Sequence, residues 1–110
     1  MDTGQLLDRV IERLKRDKTY FRSILDMLEK RGLITISSGF VRLTEKARRR
    51  AREVMNTAVR FDVVRDDYSL FTNMMTIFYV VAASTGPLTE EEAIASAYIL
   101  ATIAMGGQDG

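Results

Sequence analysis

The chain has 110 residues and contains neither cysteine nor histidine. That length suits one domain with one core. The composition excludes disulfides, thiolate nucleophiles, Cys/His zinc sites and histidine general bases. The net charge of +1 hides a split: residues 1–60 hold 15 Lys/Arg and 8 Asp/Glu, residues 61–110 only 1 and 7. A basic half joined to an acidic, apolar half suggests one surface for a polyanion and another for packing, with chance imbalance as the plain alternative.

Leu6, Leu7, Val10, Ile11 and Leu14 recur at helical spacing and predict an amphipathic helix over residues 5–16, with Asp2 or Thr3 as its cap. Arg9, Glu12, Arg13, Lys15 and Arg16 fall off that stripe. This charged N-terminus is unlike an apolar signal core, so a cytoplasmic location is expected. A second helix is predicted over residues 19–31, with Tyr20, Phe21, Ile24, Leu25 and Leu28 facing the core and Asp17 or Thr19 as cap. Gly32 sits where a left-handed residue closes the last turn. The link between the helices is short, about Arg16 to Lys18, which makes a helix-turn-helix candidate.

Leu33–Ile36 and Phe40–Leu43 alternate with period two. Ile34/Ile36 and Val41/Leu43 fall on the face expected to be buried, and Ser37-Ser38-Gly39 forms the turn. Thr44 is placed to cap a third helix, whose stripe is Ala47, Ala51, Val54, Met55, Ala58 and Val59. Arg48, Arg49, Arg50 and Arg52 crowd its first two turns. The helix macrodipole disfavours cations there, so phosphate or the acidic half must account for them. Residues 60–67 leave open whether 44–84 is one helix or two. From Tyr68 to Ser84 the chain is apolar on all sides, and Gly86-Pro87 ends that segment. Thr89 to Glu92 reads as a capping box for a last helix over 90–105. Residues 106–110 read as a frayed tail.

The order helix, tight turn, helix, Arg-Gly-Leu-Ile, hairpin, Leu-Thr-Glu-Lys, helix resembles a winged helix-turn-helix DNA-binding domain. The segments Leu28-Glu29-Lys30-Arg31-Gly32-Leu33-Ile34 and Leu43-Thr44-Glu45-Lys46 resemble the wing region of MarR-like and PadR-like prokaryotic regulators. Ala47 replaces the usual glycine, and the hairpin is very short. The resemblance covers residues 5–60, about half the chain. Such domains have two helices before the recognition helix, whereas one is evident here. A C-terminal helix or a partner subunit would have to fill that place. The resemblance implies a recognition helix over Thr19–Arg31 and DNA contacts from Lys18, Thr19, Arg22 and Ser23. It adds Ser38 and Arg42 from the wing, and Arg48, Arg49 and Arg52 on the phosphate backbone. The plain alternatives are solvated charges, an Arg22–Asp26 pair, or arginines paired with Asp62, Asp66 and Asp67. Tyr20 and Phe21 are expected in the core.

The expected fold class is therefore mainly α with a small β-hairpin. A single domain is expected over 1–110, with a winged-helix part at 5–60 and an apolar helical oligomerisation part at 61–105. Leu70, Phe71, Met74, Phe78, Ile94, Tyr98, Ile99 and Ile103 are expected to form a homodimer interface. Membrane insertion is disfavoured, because the continuous apolar run is only Ile77–Ala83. The expected function is sequence-specific binding of double-stranded DNA as a small prokaryotic transcriptional regulator. A winged-helix protein-interaction module is the alternative. No cofactor and no enzymatic reaction are expected, since no loop gathers carboxylates or cradles phosphate. No residue argues for a small apolar effector.

Overall fold

Asp17 both ends one helix and begins the next. The computed structural model describes residues 3–57 and 67–105, and among these α1 spans Thr3–Arg16 and α2 spans Lys18–Lys30. The Asp17 amide donates to the Arg13 carbonyl at 2.8 Å, closing α1. Its carboxylate accepts the amides of Thr19 and Tyr20, capping α2. Such a cap contributes about 1 kcal/mol. The link is thus one residue, tighter than the predicted turn. At the other end of α2, Gly32 has φ +76°. The Gly32 amide donates to the Glu29 carbonyl and the Leu33 amide to that of Leu28, so the last carbonyls of the helix are satisfied.

The chain then forms a hairpin of β1 (Ile34–Ser37) and β2 (Phe40–Leu43), paired antiparallel with Ile34 opposite Leu43 and Ile36 opposite Val41. Ser37 pairs with Phe40, so the loop is two residues, Ser38-Gly39, rather than three. Both loop residues have positive φ, +52° and +81°. That sign pattern matches the primed turns whose twist suits a hairpin. The predicted buried face holds only at the open end of the ladder. Ile34 and Leu43 are buried and Val41 is half-buried, but Ile36 is 37% exposed; Phe40, on the opposite face, is 59% exposed. The hairpin projects past the helices that would cover its tip.

Thr44 joins the hairpin to α3 (Glu45–Thr57). Its hydroxyl donates to the Gly32 carbonyl and accepts the Ala47 amide, while its own amide bonds the Leu33 carbonyl. One threonine therefore caps α3 and fixes it against the end of α2. Ala47 is fully buried there. α4 (Asp67–Ala83) and α5 (Glu90–Met105) complete the described residues, so 44–84 is not one continuous described helix. Residues 58–66, with Asp62 and Asp66, and residues 106–110 lie outside the described residues. The capping box is present at α5: the Glu92 amide donates to the Thr89 hydroxyl at 3.1 Å and the Thr89 amide to the Glu92 carboxylate at 3.0 Å.

α5 occupies the centre, packing on α4, α1, α2 and β2. Ala93, Ile94, Ala95, Ala97, Ile99, Leu100, Ala101 and Ile103 are all buried, as is Ser96, whose hydroxyl finds no partner among the described residues. The alanines keep the helix thin, which lets four elements approach it closely. α4 divides by face. Ile77, Phe78, Val81 and Ala82 are buried, whereas Thr76, Tyr79, Val80 and Ala83 lie on the surface. No helix among the described residues is long and apolar enough to cross a membrane.

This arrangement corrects the expected dimer interface. Phe78, Ile94, Ile99 and Ile103 are 3–8% exposed in the single chain. Met74 and Tyr98 are partly buried against the same core. The apolar surface of Phe78, Ile94, Ile99 and Ile103 is used within the chain, while Met74 and Tyr98 keep part of theirs at the surface. The side chains of Leu70 and Phe71 lie outside the described residues. Phe78→Ala should therefore destabilise the folded chain by about 3–5 kcal/mol. Urea unfolding should show the same loss at every protein concentration, whereas an interface residue would give a loss that depends on concentration.

Candidate nucleic-acid interface

The outer face of α2 is set by its burial. Ile24 and Leu28 point into the core, so Lys18, Thr19, Arg22, Ser23 and Asp26 are left facing solvent. Lys18 and Arg22 fall within the first two turns and make no hydrogen bond or ion pair among the described residues. The Arg22–Asp26 pair does not form. Asp17 spends its carboxylate on two backbone amides and does not pair with either cation. The start of α2 therefore presents two cations beside the positive end of the helix dipole. The Ser23 hydroxyl donates to the Tyr20 carbonyl at 2.7 Å. Its proton is engaged, so it offers lone pairs, which suit the amino groups of adenine or cytosine in a major groove. The Thr19 side chain is exposed. An open depression of about 510 Å³ runs beside Ser23, Asp26, Met27, Lys30 and Arg31.

The hairpin adds Ser38 at its tip and Arg42 on β2, both exposed. The ladder register puts Arg42 on the same face as Phe40, opposite to that of Ile34 and Val41. The arginines of α3 divide into separate groups. Arg49 is exposed without an intramolecular partner among the described residues. Arg48 is half-buried and engaged. Arg52 bonds Glu45 at 2.9 Å and Arg50 bonds Glu53 at 3.3 Å. The side chains of Arg52 and Glu45 are 62% and 70% exposed, so that pair contributes little to stability and yields readily to a competing phosphate. Pairing of this cluster with Asp62, Asp66 or Asp67 concerns side chains outside the described residues.

Several participants were not singled out by the sequence. Lys46 donates through Nζ to the Arg31 carbonyl at 3.0 Å. Arg31 reaches the Pro87 carbonyl at 2.9 Å. These two cations tie the end of α2 to α3 and to the α4–α5 turn. Phe21 is 38% exposed rather than in the core. It lies at the edge of the α2 stripe and lines an apolar cleft of about 110 Å³ with Leu25, Val41 and residues of α5. Periodicity marks a stripe without saying where the packed neighbours stop. Tyr20 does turn inward, with the Arg13 guanidinium 3.8 Å above its ring.

The Tyr20 hydroxyl is buried and makes no hydrogen bond among the described residues. Burial first, then the nearby Glu91 carboxylate, push its pKa up to about 12 from 10.0. Burial and a neighbouring anion both penalise tyrosinate, so the folded state favours the neutral phenol. The resulting stability is complete below pH 10 and is lost as pH rises through 12. Alkaline titration followed by tyrosinate absorbance should show one late-ionising tyrosine that disappears in Tyr20→Phe.

Compared with known proteins, the chain matches no protein-family model, no curated protein and no solved structure.

Proposed function

We propose that the protein binds double-stranded DNA through α2 and the hairpin, as a winged-helix regulator does. The observation that carries the reading is the exposed start of α2, where Lys18, Arg22, Thr19 and Ser23 face outward and, among the described residues, no acidic side chain neutralises the cations. Ser23 and Arg22 are the base-reading candidates, with Arg22 suited to guanine through its two-pronged guanidinium. Arg42, Arg49 and Arg52 hold phosphates, and Ser38 approaches from the hairpin tip. Asp26 and Glu29, further along α2, repel phosphate. Only the first two turns approach the duplex closely.

Two copies bind together on this reading, so that two α2 helices address successive major grooves. The contact between copies lies on the outer face of α4. Tyr79 and Val80, 37% and 42% exposed, lie there with Thr76 and Ala83 at helical spacing. A single stripe of this kind suits a modest interface. Transcriptional regulation is the biological role that follows.

A second reading, a protein-interaction module, is favoured by one specific observation. Phe21, Ile36 and Phe40 leave large apolar surface exposed on α2 and the hairpin, and such side chains anchor protein partners.

Fluorescence anisotropy with a mixed-sequence duplex across a salt series separates the readings. Wild-type binding should weaken as salt rises. Each of Arg22→Glu and Arg49→Glu should weaken it further, and each lost phosphate contact should reduce the log–log slope by about 0.9. Absence of binding at low salt sinks the DNA reading and leaves the apolar surface as the functional one. For the pairing of copies, Tyr79→Glu with Val80→Glu should shift the protein to monomer in sedimentation velocity without lowering its unfolding temperature.

A further inference from the structure

A second cationic surface lies on α1. Arg9, Arg13 and Arg16 are spaced four and three residues apart, one stripe running about 10 Å along the helix. With Leu6, Val10 and Glu91 they line a concavity of about 340 Å³, within the size range of small-ligand sites. Leu6 and Val10 supply the apolar lining and the three guanidinium groups the polar one. Three guanidinium groups and one carboxylate line it; Arg9 already has another interaction in the chain, so Arg13 and Arg16 carry the argument.

That negative charge is informative. Glu91 Oε1 meets Arg13 Nη1 at 2.7 Å, and the two side chains are 42% and 44% exposed. An exposed pair of this kind adds little to stability, so an incoming anion displaces the carboxylate at small cost. Glu92, its neighbour, is held at the Thr89 amide and does not line the concavity. Arg13 is also fixed from below by the Tyr20 ring. It keeps its position when Glu91 leaves. Guanidinium groups match phosphate oxygens with paired hydrogen bonds, and several together favour a multiply charged anion over a single carboxylate.

We propose that this concavity binds a phosphate-bearing ligand, which takes the place of Glu91 against Arg13 and is held by Arg9 and Arg16. The phosphate comes either from a free phosphorylated small molecule or from the backbone of a nucleic acid. The site is on a different helix from the base-reading candidates, so pyrophosphate binding there is tested independently of the DNA reading, and only the nucleic-acid source of the phosphate rests on that reading.

The test is calorimetric titration of the full chain with inorganic pyrophosphate, against chloride at matched ionic strength. Tyrosine fluorescence reports on the site through Tyr20. Wild-type protein should bind saturably. Arg16→Gln and Arg13→Gln should each weaken binding about tenfold or more, and Glu91→Gln should tighten it. Arg16→Gln guards against a folding defect, since Arg16 is exposed at the end of α1 and its side chain makes no hydrogen bond or ion pair among the described residues. Arg22→Glu should leave pyrophosphate binding unchanged, which separates this site from the α2 surface. If pyrophosphate fails but Arg16→Gln lowers the salt slope for a duplex by about 0.9, the phosphate is that of the nucleic acid backbone and the site stands. Pyrophosphate binding that is indifferent to Arg13, Arg16 and Glu91 overturns the proposal. So does the absence of both effects.

Discussion

The enclosure of α5 is the constraint on which the rest of the structure depends. A helix apolar on every side cannot face water at low cost and must be wrapped. Here the wrapping elements are α4, α1, α2 and β2. Each brings one apolar face and leaves its opposite face outside. The polar face of α2 is exposed because its other face is committed to α5 and β1. The arginine stripe of α1 is exposed because Val10 and Leu14 are buried. Surface chemistry is thus a by-product of how one apolar helix is covered.

A small number of polar contacts sets the angles between these elements. Thr44 binds the ends of α2 and β1 while capping α3, and Asp17 joins α1 to α2 with no intervening loop. Arg31 and Lys46 fasten the α2 terminus on two sides. None of these contributes more than about 1–3 kcal/mol. Their importance is geometric, since they orient the exposed start of α2 relative to the hairpin and the arginines of α3.

Much of the architecture was legible in the sequence because its signals are local. The stripe of Leu6, Val10 and Leu14, the Asp17 cap, Gly32, the Thr44 cap and the Thr89–Glu92 box each depend on residues a turn apart. What stayed illegible depends on distant neighbours. Phe78 and Ile94 read as surplus apolar surface because nothing in one segment reveals which other segment of the chain covers it. Phe21 and Ile36 read as core because alternation and periodicity identify a face but not its covered length. At the candidate interface, the exposure of Lys18, Arg22, Arg42 and Arg49 follows from periodicity. The engagement of Arg52 by Glu45 spans seven residues, two helical turns, and escaped the pattern. The spacing of Arg9, Arg13 and Arg16 was visible, yet only the packing of Glu91 against Arg13 turns the stripe into a concavity.

The central position of α5 also sets an order of events. During synthesis the chain emerges from its N-terminus, and domains made of early segments usually fold first. Here α1, α2 and the hairpin emerge before the helix that covers them. Val10, Leu14, Ile24 and Leu43 are without their main cover until α5 has been made. The arginine-rich segments are thus complete as sequence well before they are ordered as surfaces. A chain interrupted before residue 90 carries the cations and the turn signals without the helix that covers their apolar faces.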